Sequence, residues 1–377
     1  MVNRHFLLHR LNPGWWMPWI MLSIFACDPL VNRFDDIEKA ESYSTGRPVN
    51  PPAAADTVHV MTWNIRFGAG RTPWFGDGCG DRVIFSEGEI LRFLSGIARE
   101  LNRLRPDILL LQEVDVKSKR SAYIDQVQWL LDHTYFDHAA YASMWEAQVV
   151  PSDGLGRINT GQAVLSRWPI QDSERIQLPL RGDQDALTRY FYLRRCILKT
   201  RIALPGTGVF YVLNVHLDAF STDDTKKRQI DRVKEELDKL AVSGAVFVAG
   251  GDFNLIPPGS DSTDFCIEDK CPDESFHQPG DDPLHKEGSN FTPEAAWLQQ
   301  LYDAYLPSVP LEKYLIDQES YYTSTPDWNG FWNRKIDHLF TNASWIAASD
   351  STHQDILDLS DHVPVSARWR LPEGAVR

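Results

Sequence analysis

Cysteine is scarce in this chain, and its placement excludes one class of architecture. Five cysteines in 377 residues form no CxxC pair, so a structural zinc ribbon is excluded. Positive charge is also short: 38 Lys and Arg stand against 52 Asp and Glu, a formal net charge of −14. That excludes a surface coating nucleic acid by general phosphate neutralisation, though not a local basic groove. The N-terminal apolar run WWMPWIMLSIFA is shorter than the ~20 residues of a membrane-spanning helix and is interrupted by Pro18. No repeat of fixed period is present. What the chain does have is core material: 43% hydrophobic and 24% charged residues fit a packed globular protein. Its 13 Trp supply both a core and an apolar or stacking cleft.

Arg4 and Arg10 precede that apolar run, and Cys27 follows it, the pattern of an export signal. Ile24-Phe25-Ala26-Cys27 resembles a bacterial lipobox whose cysteine is lipidated, although Phe25 is bulkier than that motif usually carries. A plain signal peptide cut nearby and an uncleaved anchor are the alternatives. The expected organisation is a signal or anchor over residues 1–27, a solvated tether over 28–56 and a folded domain over 57–373. The location follows: exported, periplasmic or cell-surface, with a lipid anchor at Cys27 if lipidation occurs. In an oxidising compartment Cys266 and Cys271 are placed to close a small disulfide loop. Cys196, inside YFYLRRCILKT, reads as a buried strand residue.

Beyond residue 56 strands alternate with helices. VHVMTWNIRF, DILLLQEV, QAVLSRWPI, YFYLRRCILKT, VFYVLNVHL, AVFVAGGDFNL, RKIDHLFTN and DHVPVSARWRL read as strands. GEILRFLSGIARELNRLRP has helical spacing and stops at Pro106, and TKKRQIDRVKEELDKLAVSG is a second amphipathic helix ending at Gly244. This pattern predicts a layered sandwich, with sheets packed face to face beneath helices. Residues 257–291 are rich in Pro, Gly, Asp and Ser and form an acidic loop insertion.

Polar residues recur where these strands end: Asn64, Glu113, His216, Asp252 with Asn254, Asp337, and Asp361 with His362. A buried strand presents its last side chain at a sheet edge, where a cleft can form. Each alone has a plainer reading as a turn former, cap or hydrogen-bonded core histidine. Together they are hard oxygen donors, imidazoles and a carboxylate–imidazole pair at equivalent places along the chain.

In order, Trp63-Asn64, Gln112-Glu113, Asn214-Val215-His216, Gly251-Asp252-Phe253-Asn254, Ile336-Asp337-His338 and Ser360-Asp361-His362 resemble the motifs of the endonuclease/exonuclease/phosphatase superfamily. That superfamily includes deoxyribonucleases, apurinic-site endonucleases, sphingomyelinases and inositol polyphosphate phosphatases. The resemblance spans roughly residues 58 to 371. It implies an α+β fold, a four-layer α/β/β/α sandwich of two mostly antiparallel sheets flanked by helices. It also implies a metal-dependent phosphoesterase, expected to act on phosphodiesters. Glu113 would hold Mg²⁺ (Mn²⁺ substituting), Asn64 would ligate or orient it, and Asp361 would complete or flank the site. Magnesium suits so sparse an oxygen set better than zinc does. His362 would accept a proton from the attacking water or contact the phosphate, with Asp337 fixing its tautomer. Asp252 would orient or deprotonate that water, Asn254 would donate to a phosphate oxygen, and His216 would be a second imidazole on the phosphate or leaving oxygen. Which of Asp252 and His362 is the base stays open.

Arg194 and Arg195 lie on opposite faces if their strand continues, so one of them, Arg195, is assigned to the phosphate. Asp218 is a weaker candidate. His338 reads as packing, and Lys226, Lys227 and Arg228 read as a solvated helix face. Trp328, Phe331 and Trp332 are expected as an aromatic wall beside the phosphate, with Trp332 touching substrate. The acidic balance weighs against duplex DNA. A soluble organophosphate, a phospholipid headgroup at the membrane surface and scavenged nucleic acid remain as substrates for a monomeric enzyme. A non-catalytic module of the same fold is disfavoured because none of the polar residues is missing.

Overall fold

In the strand Thr57–Asn64 every residue after Thr57 is buried, which one core cannot achieve. Successive side chains point to opposite faces, so two separate cores must receive them. Val58 and Val60 enter one cluster, and Met61 and Trp63 enter another. The computed structural model describes residues 30–49, 52–53, 57–76, 80–205, 209–265, 269, 291–325 and 332–370.

The strands in chain order are β1 (Ile37–Lys39), β2 (Glu41–Ser44), β3 (Thr57–Asn64), β4 (Ile108–Asp115), β5 (His138–Val150), β6 (Gly156–Ser166), β7 (Ile170–Gln177) and β8 (Cys196–Ile202). They continue as β9 (Phe210–His216), β10 (Val246–Asp252), β11 (Leu306–Pro307), β12 (Asp337–Thr341), β13 (Ser344–Trp345), β14 (Ser351–Thr352) and β15 (Val365–Arg370). The helices are α1 (Glu87–Leu104), α2 (Gln126–His133), α3 (Ala186–Phe191), α4 (Thr225–Val242), α5 (Gln299–Ala304) and α6 (Leu311–Ile316).

One sheet runs β1-β7-β8-β9-β10-β12-β11, the other β13-β15-β3-β4-β6-β5-β2, with β14 on β15. Every pairing is antiparallel except β3 with β4 and β9 with β10. Three buried clusters separate four layers. Leu94 and Ile97 of α1 and Leu130 of α2 pack on Met61, Trp63 and Leu111. Val60, Leu110 and Val164 meet Leu198, Val212 and Val248 between the sheets. Ile230, Val233 and Leu237 of α4 cover Leu213, Val215 and Phe247. The expected α/β/β/α sandwich is therefore present.

Helix α1 begins where Ser86 and Glu89 form a reciprocal capping box, and it ends at Arg105, left-handed at φ 55°, just before Pro106. Other expectations are corrected. Residues 37–44, assigned above to a tether, are edge strands: β1 pairs with β7 in one sheet and β2 with β5 in the other. Their polar outward faces carry no apolar alternation, which is why the segment reads as solvated. Strand β5, the longest at 13 residues, is absent from the strands read above. QAVLSRWPI is not one strand, because β6 ends at Ser166 and β7 starts at Ile170, after Pro169. YFYLRRCILKT is a strand only from Cys196, which is buried as expected. Residues 1–29, with Cys27, and the pair Cys266 and Cys271 lie outside the described residues. Among the described residues no helix is long and apolar enough to cross a membrane.

Candidate active site

Three of the polar residues are brought together by strand register. Asp252 ends β10 opposite His216, the last residue of the parallel strand β9, and opposite Asp337, the first of the antiparallel strand β12. Gly251 makes this close pairing possible, since a Cβ there would sit 1.9 Å from the carbonyl oxygen of Val215. From the other sheet, β3 and β4 deliver Asn64 and Glu113 to the same edge. The β4–β6 register slips between Gln112 and Val114, and Glu113 adopts φ 53° in the resulting bulge. The bulge turns a residue that would lie in the pleat towards the cleft.

The side chains interlock. Asn64 accepts the Arg66 N–H on Oδ1 at 3.0 Å and donates through Nδ2 to Glu113 Oε1 and Asp252 Oδ2, each at 3.1 Å. With its oxygen committed to backbone, Asn64 orients carboxylates. Asp252 Oδ2 lies 3.3 Å from His216 Nε2 and 3.7 Å from His362 Nε2, while Oδ1 accepts the Asn254 N–H at 2.9 Å. His362 Nδ1 is 2.8 Å from Asp337 Oδ2, the acid–imidazole pair anticipated above. Ser360 Oγ donates to the Asn64 carbonyl at 2.7 Å and ties the His362 loop to β3. Asp361 Oδ2 is 3.2 Å from Arg66 Nε. Asn254, at φ 49°, donates one amide hydrogen to the Leu217 carbonyl at 3.1 Å. A second hydrogen on that nitrogen remains for a ligand.

Electrostatics separate the two imidazoles. Burial pushes His216 well below its ordinary range, and the charges of Arg195 and His362 push it the same way. Burial opposes the charge on His362 too, but Asp337 and Asp252 overcome it and raise that imidazole well above its usual value. Asp252 is raised by its own burial, with Asp337 adding to the effect and His362 opposing it. The cleft therefore holds a neutral imidazole, a cationic one and an unusually basic carboxylate.

A cavity of about 600 Å³ opens over this cluster and is lined by Glu113, Arg195, His216, Asp252, Asn254, Asp361 and His362. Arg195 leaves the strand surface just before β8 and is 8% exposed, with a buried Nε that has no hydrogen-bond partner. Among the described residues no carboxylate pairs with it. Arg194 instead donates to the carbonyls of Tyr190 and Tyr192.

The carboxylates Glu113 and Asp361, with Asn64 orienting Glu113, form an oxygen set without a thiolate that fits a hard cation such as Mg²⁺ or Mn²⁺. Arg66 pairs with Asp361, and Glu113 and Asp361 are the carboxylates that could hold a cation. Asp252, Asp337 and His362 also bring ligand atoms within 4.8 Å of one another. The Asp337–His362 hydrogen bond accounts for that cluster without an ion.

Several expectations need correction. Trp332 is not on the cavity wall: its indole donates to the Gln354 carbonyl at 3.3 Å, and Arg71 stacks on its face. Trp328 and Phe331 lie outside the described residues. The aromatic wall is built instead by Trp74, Phe75, Trp145 and Phe191. Lys226 is not solvated: it is fully buried, with Nζ 2.5 Å from Glu294 Oε2 and 2.8 Å from the Asn254 carbonyl. Asp218 accepts the N–H groups of Phe220 and Ser221 and shapes a turn. His338 bonds the Leu255 carbonyl and packs on Phe253, as expected for a packing residue. Of the acidic loop, Asp269 reaches the cavity wall, paired with Arg334.

The model of the Endonuclease/Exonuclease/phosphatase family matches residues 61–362. No curated protein matches the chain. Among solved structures, an endonuclease/exonuclease/phosphatase from Beutenbergia cavernae is 21% identical with a TM-score of 0.54, over 85% of this chain and 73% of that one. A functionally unknown conserved protein from Enterococcus faecalis is 16% identical with a TM-score of 0.50, over 83% of this chain and 100% of that one. A mannosyl-6-phosphatase from Bacteroides thetaiotaomicron is 17% identical with a TM-score of 0.46, over 82% of this chain and 98% of that one.

Proposed function

The chain belongs to the endonuclease/exonuclease/phosphatase family, whose members hydrolyse phosphoester bonds, and from that premise we propose that it is an exported, divalent-metal-dependent phosphodiesterase. The observation that carries the proposal is Arg195. Among the described residues it has no carboxylate partner; a buried guanidinium left so costs several kcal/mol, and an anion in the cavity beside His216 and Asp252 would offset it.

In this reading Arg195 and His362, both cationic, bind and stabilise the phosphate oxygens as negative charge gathers on them. Asp252, raised by burial and steadied by Asn64 and Asn254, takes the proton of the attacking water. His362 is already protonated at neutral pH, which favours Asp252 as the base. Asp337 holds the imidazole in place and in its charged state. His216, neutral and lining the cavity, has one ring N–H to donate to an ester oxygen or to Asp252. Glu113, flanked by Asp361, would hold the divalent cation, which would supply neutralisation of phosphate charge. Export rests on the basic and apolar N-terminal pattern ending at Cys27.

A phospholipid hydrolase is the second reading, favoured by the apolar wall of the cavity. A nuclease is weaker, because a net charge of −14 opposes strand binding.

The test is a metal titration of the full chain after chelation, against an aryl phosphodiester, an aryl phosphomonoester, DNA, RNA and phospholipid. Mg²⁺ or Mn²⁺ should restore hydrolysis of the diester, and Glu113→Gln should raise the metal concentration required by about tenfold or more. Metal-independent turnover of the diester would refute the proposal.

A further inference from the structure

Besides the groups described above, much of the cavity wall is carbon: Met144 and Trp145 of β5, Leu155 of the turn before β6, Phe191 at the end of α3, and Trp74 and Phe75 of the loop after β3, an apolar annex interrupted by Arg120, Thr160 and Thr188. Leu155, Met144 and Trp74 are 0%, 2% and 8% exposed, so this annex is a lined recess.

Two other guanidiniums reach the cavity wall, and both are satisfied within the protein. Arg120 grips Asp115 with two bonds of 2.9 Å, and Arg334 grips Asp269 with bonds of 2.6 and 2.7 Å. Among the described residues, Arg195 alone of the three lacks a carboxylate. One uncompensated guanidinium matches one phosphate, whereas a polyphosphate or a nucleic-acid strand calls for several. A sugar or nucleoside placed in the annex would lose water from several hydroxyls and meet only scattered polar groups, the Trp145 indole N–H, Thr160 and Thr188 among them.

We propose that the annex binds an apolar ester arm, so that the substrate is a single-phosphorus ester carrying an alkyl chain or aromatic ring. The proposal rests on the phosphoesterase reading above and narrows its substrate class. Leu187, 71% exposed on the cavity edge, extends the apolar wall towards the mouth, where a longer arm would pass.

Two measurements on the full chain test it. In the first, p-nitrophenyl phosphodiesters share one leaving group and differ in the second arm: methyl, butyl, octyl or phenyl. We expect kcat/KM to rise about tenfold or more from methyl to butyl. Leu187→Asp and Phe191→Ala should each cut the octyl-to-methyl ratio at least about threefold. Phosphatidylcholine vesicles, assayed in parallel, separate the sources of such an arm: cleavage there assigns it to a lipid, and cleavage of the soluble esters alone assigns it to a small organophosphate. In the second, calorimetry gives the Kd of methyl-, butyl- and phenylphosphonate without any turnover, and the larger two should bind at least about tenfold more tightly. If no ester is hydrolysed but the phosphonates keep this order, the hydrolase reading falls and the apolar site stands. If hydrolysis occurs with no dependence on the arm and the phosphonates bind alike, the annex is not a binding site and the proposal is wrong. Equal phosphonate binding with no hydrolysis overturns both.

Discussion

Glu113 and Asn254 stand at φ 53° and 49°, a conformation that costs a non-glycine residue roughly 1–3 kcal/mol. Both line the cavity, and at these two positions the left-handed backbone aims a side chain into it. Asn254 has a further support: its carbonyl accepts from buried Lys226, whose charge is met by Glu294. Removing either partner should destabilise the protein by about 3–5 kcal/mol, because a buried charge is left alone. Lys226→Met with Glu294→Leu should cost less than the two single changes added together, read from urea denaturation midpoints; strict additivity would mean the pair is not coupled. The Asp337–His362 pair makes a second prediction. Asp337→Asn removes the charge that raises His362, so the imidazole should titrate at lower pH by NMR, and diester turnover should fall about 10²- to 10⁴-fold. An unmoved titration would remove Asp337 from its role. The catalytic candidates are legible in the sequence because each lies at or close to one end of an apolar strand. Lys226 is not legible: its partner Glu294 lies 68 residues away, and nothing near it in the chain signals burial.

At the scale of elements, the short strands β1 and β2 do more than their length suggests. One residue separates them, yet they join the outer edges of different sheets, and Ala40 between them donates to the Ser173 carbonyl. Val31, 1% exposed, anchors the segment in the core on the α1 side. A chain lacking residues 30–49 should therefore melt at lower temperature and associate through the uncovered edges of β5 and β7, measured by calorimetry and light scattering. Unchanged melting would mean the segment is the tether its polar composition suggests. Lys335, just before β12, carries a pH signature. Its ammonium is buried and donates to the Asp337 carbonyl, and desolvation lowers its pKa from 10.5 to about 8. Between those values the unfolded chain binds more protons than the native one, so stability contributed at this site rises with pH through that window. Below about pH 8 the buried charge weighs fully against folding. Wild type should therefore gain stability relative to Lys335→Met between pH 8 and 10, in urea midpoints; a constant difference would contradict the shift. Helices α1 and α4 are legible from spacing and stop signals. Strand β5 is not, because its alanines and serine carry a weak β signal and its burial comes from the helical layer on one face and the other sheet on the opposite face.

Across the whole molecule, two sheets turn their polar strand ends towards one cleft, each supplying what the other lacks. The sheet with β3 and β4 brings Asn64 and Glu113, and the sheet with β9, β10 and β12 brings His216, Asp252 and Asp337. That convergence and the four layers are implied by the family motifs, and sheets stacked beneath helices follow from strand and helix patterning. The apolar annex is not implied by either, since its wall is assembled from segments between residues 74 and 193 that meet only in the folded chain. Sequence reading placed the aromatic wall at Trp332 because proximity along the chain is a poor guide to which loop faces a cleft. The central claim is that these converging side chains hydrolyse one phosphoester at one site, and Asp252 touches more of them than any other residue described here. The most direct test is kcat for an aryl phosphodiester, with saturating Mg²⁺, in Asp252→Asn beside wild type, with folding checked by circular dichroism. The account predicts a folded variant slowed by about a thousandfold or more; a folded variant within tenfold of wild type would contradict it.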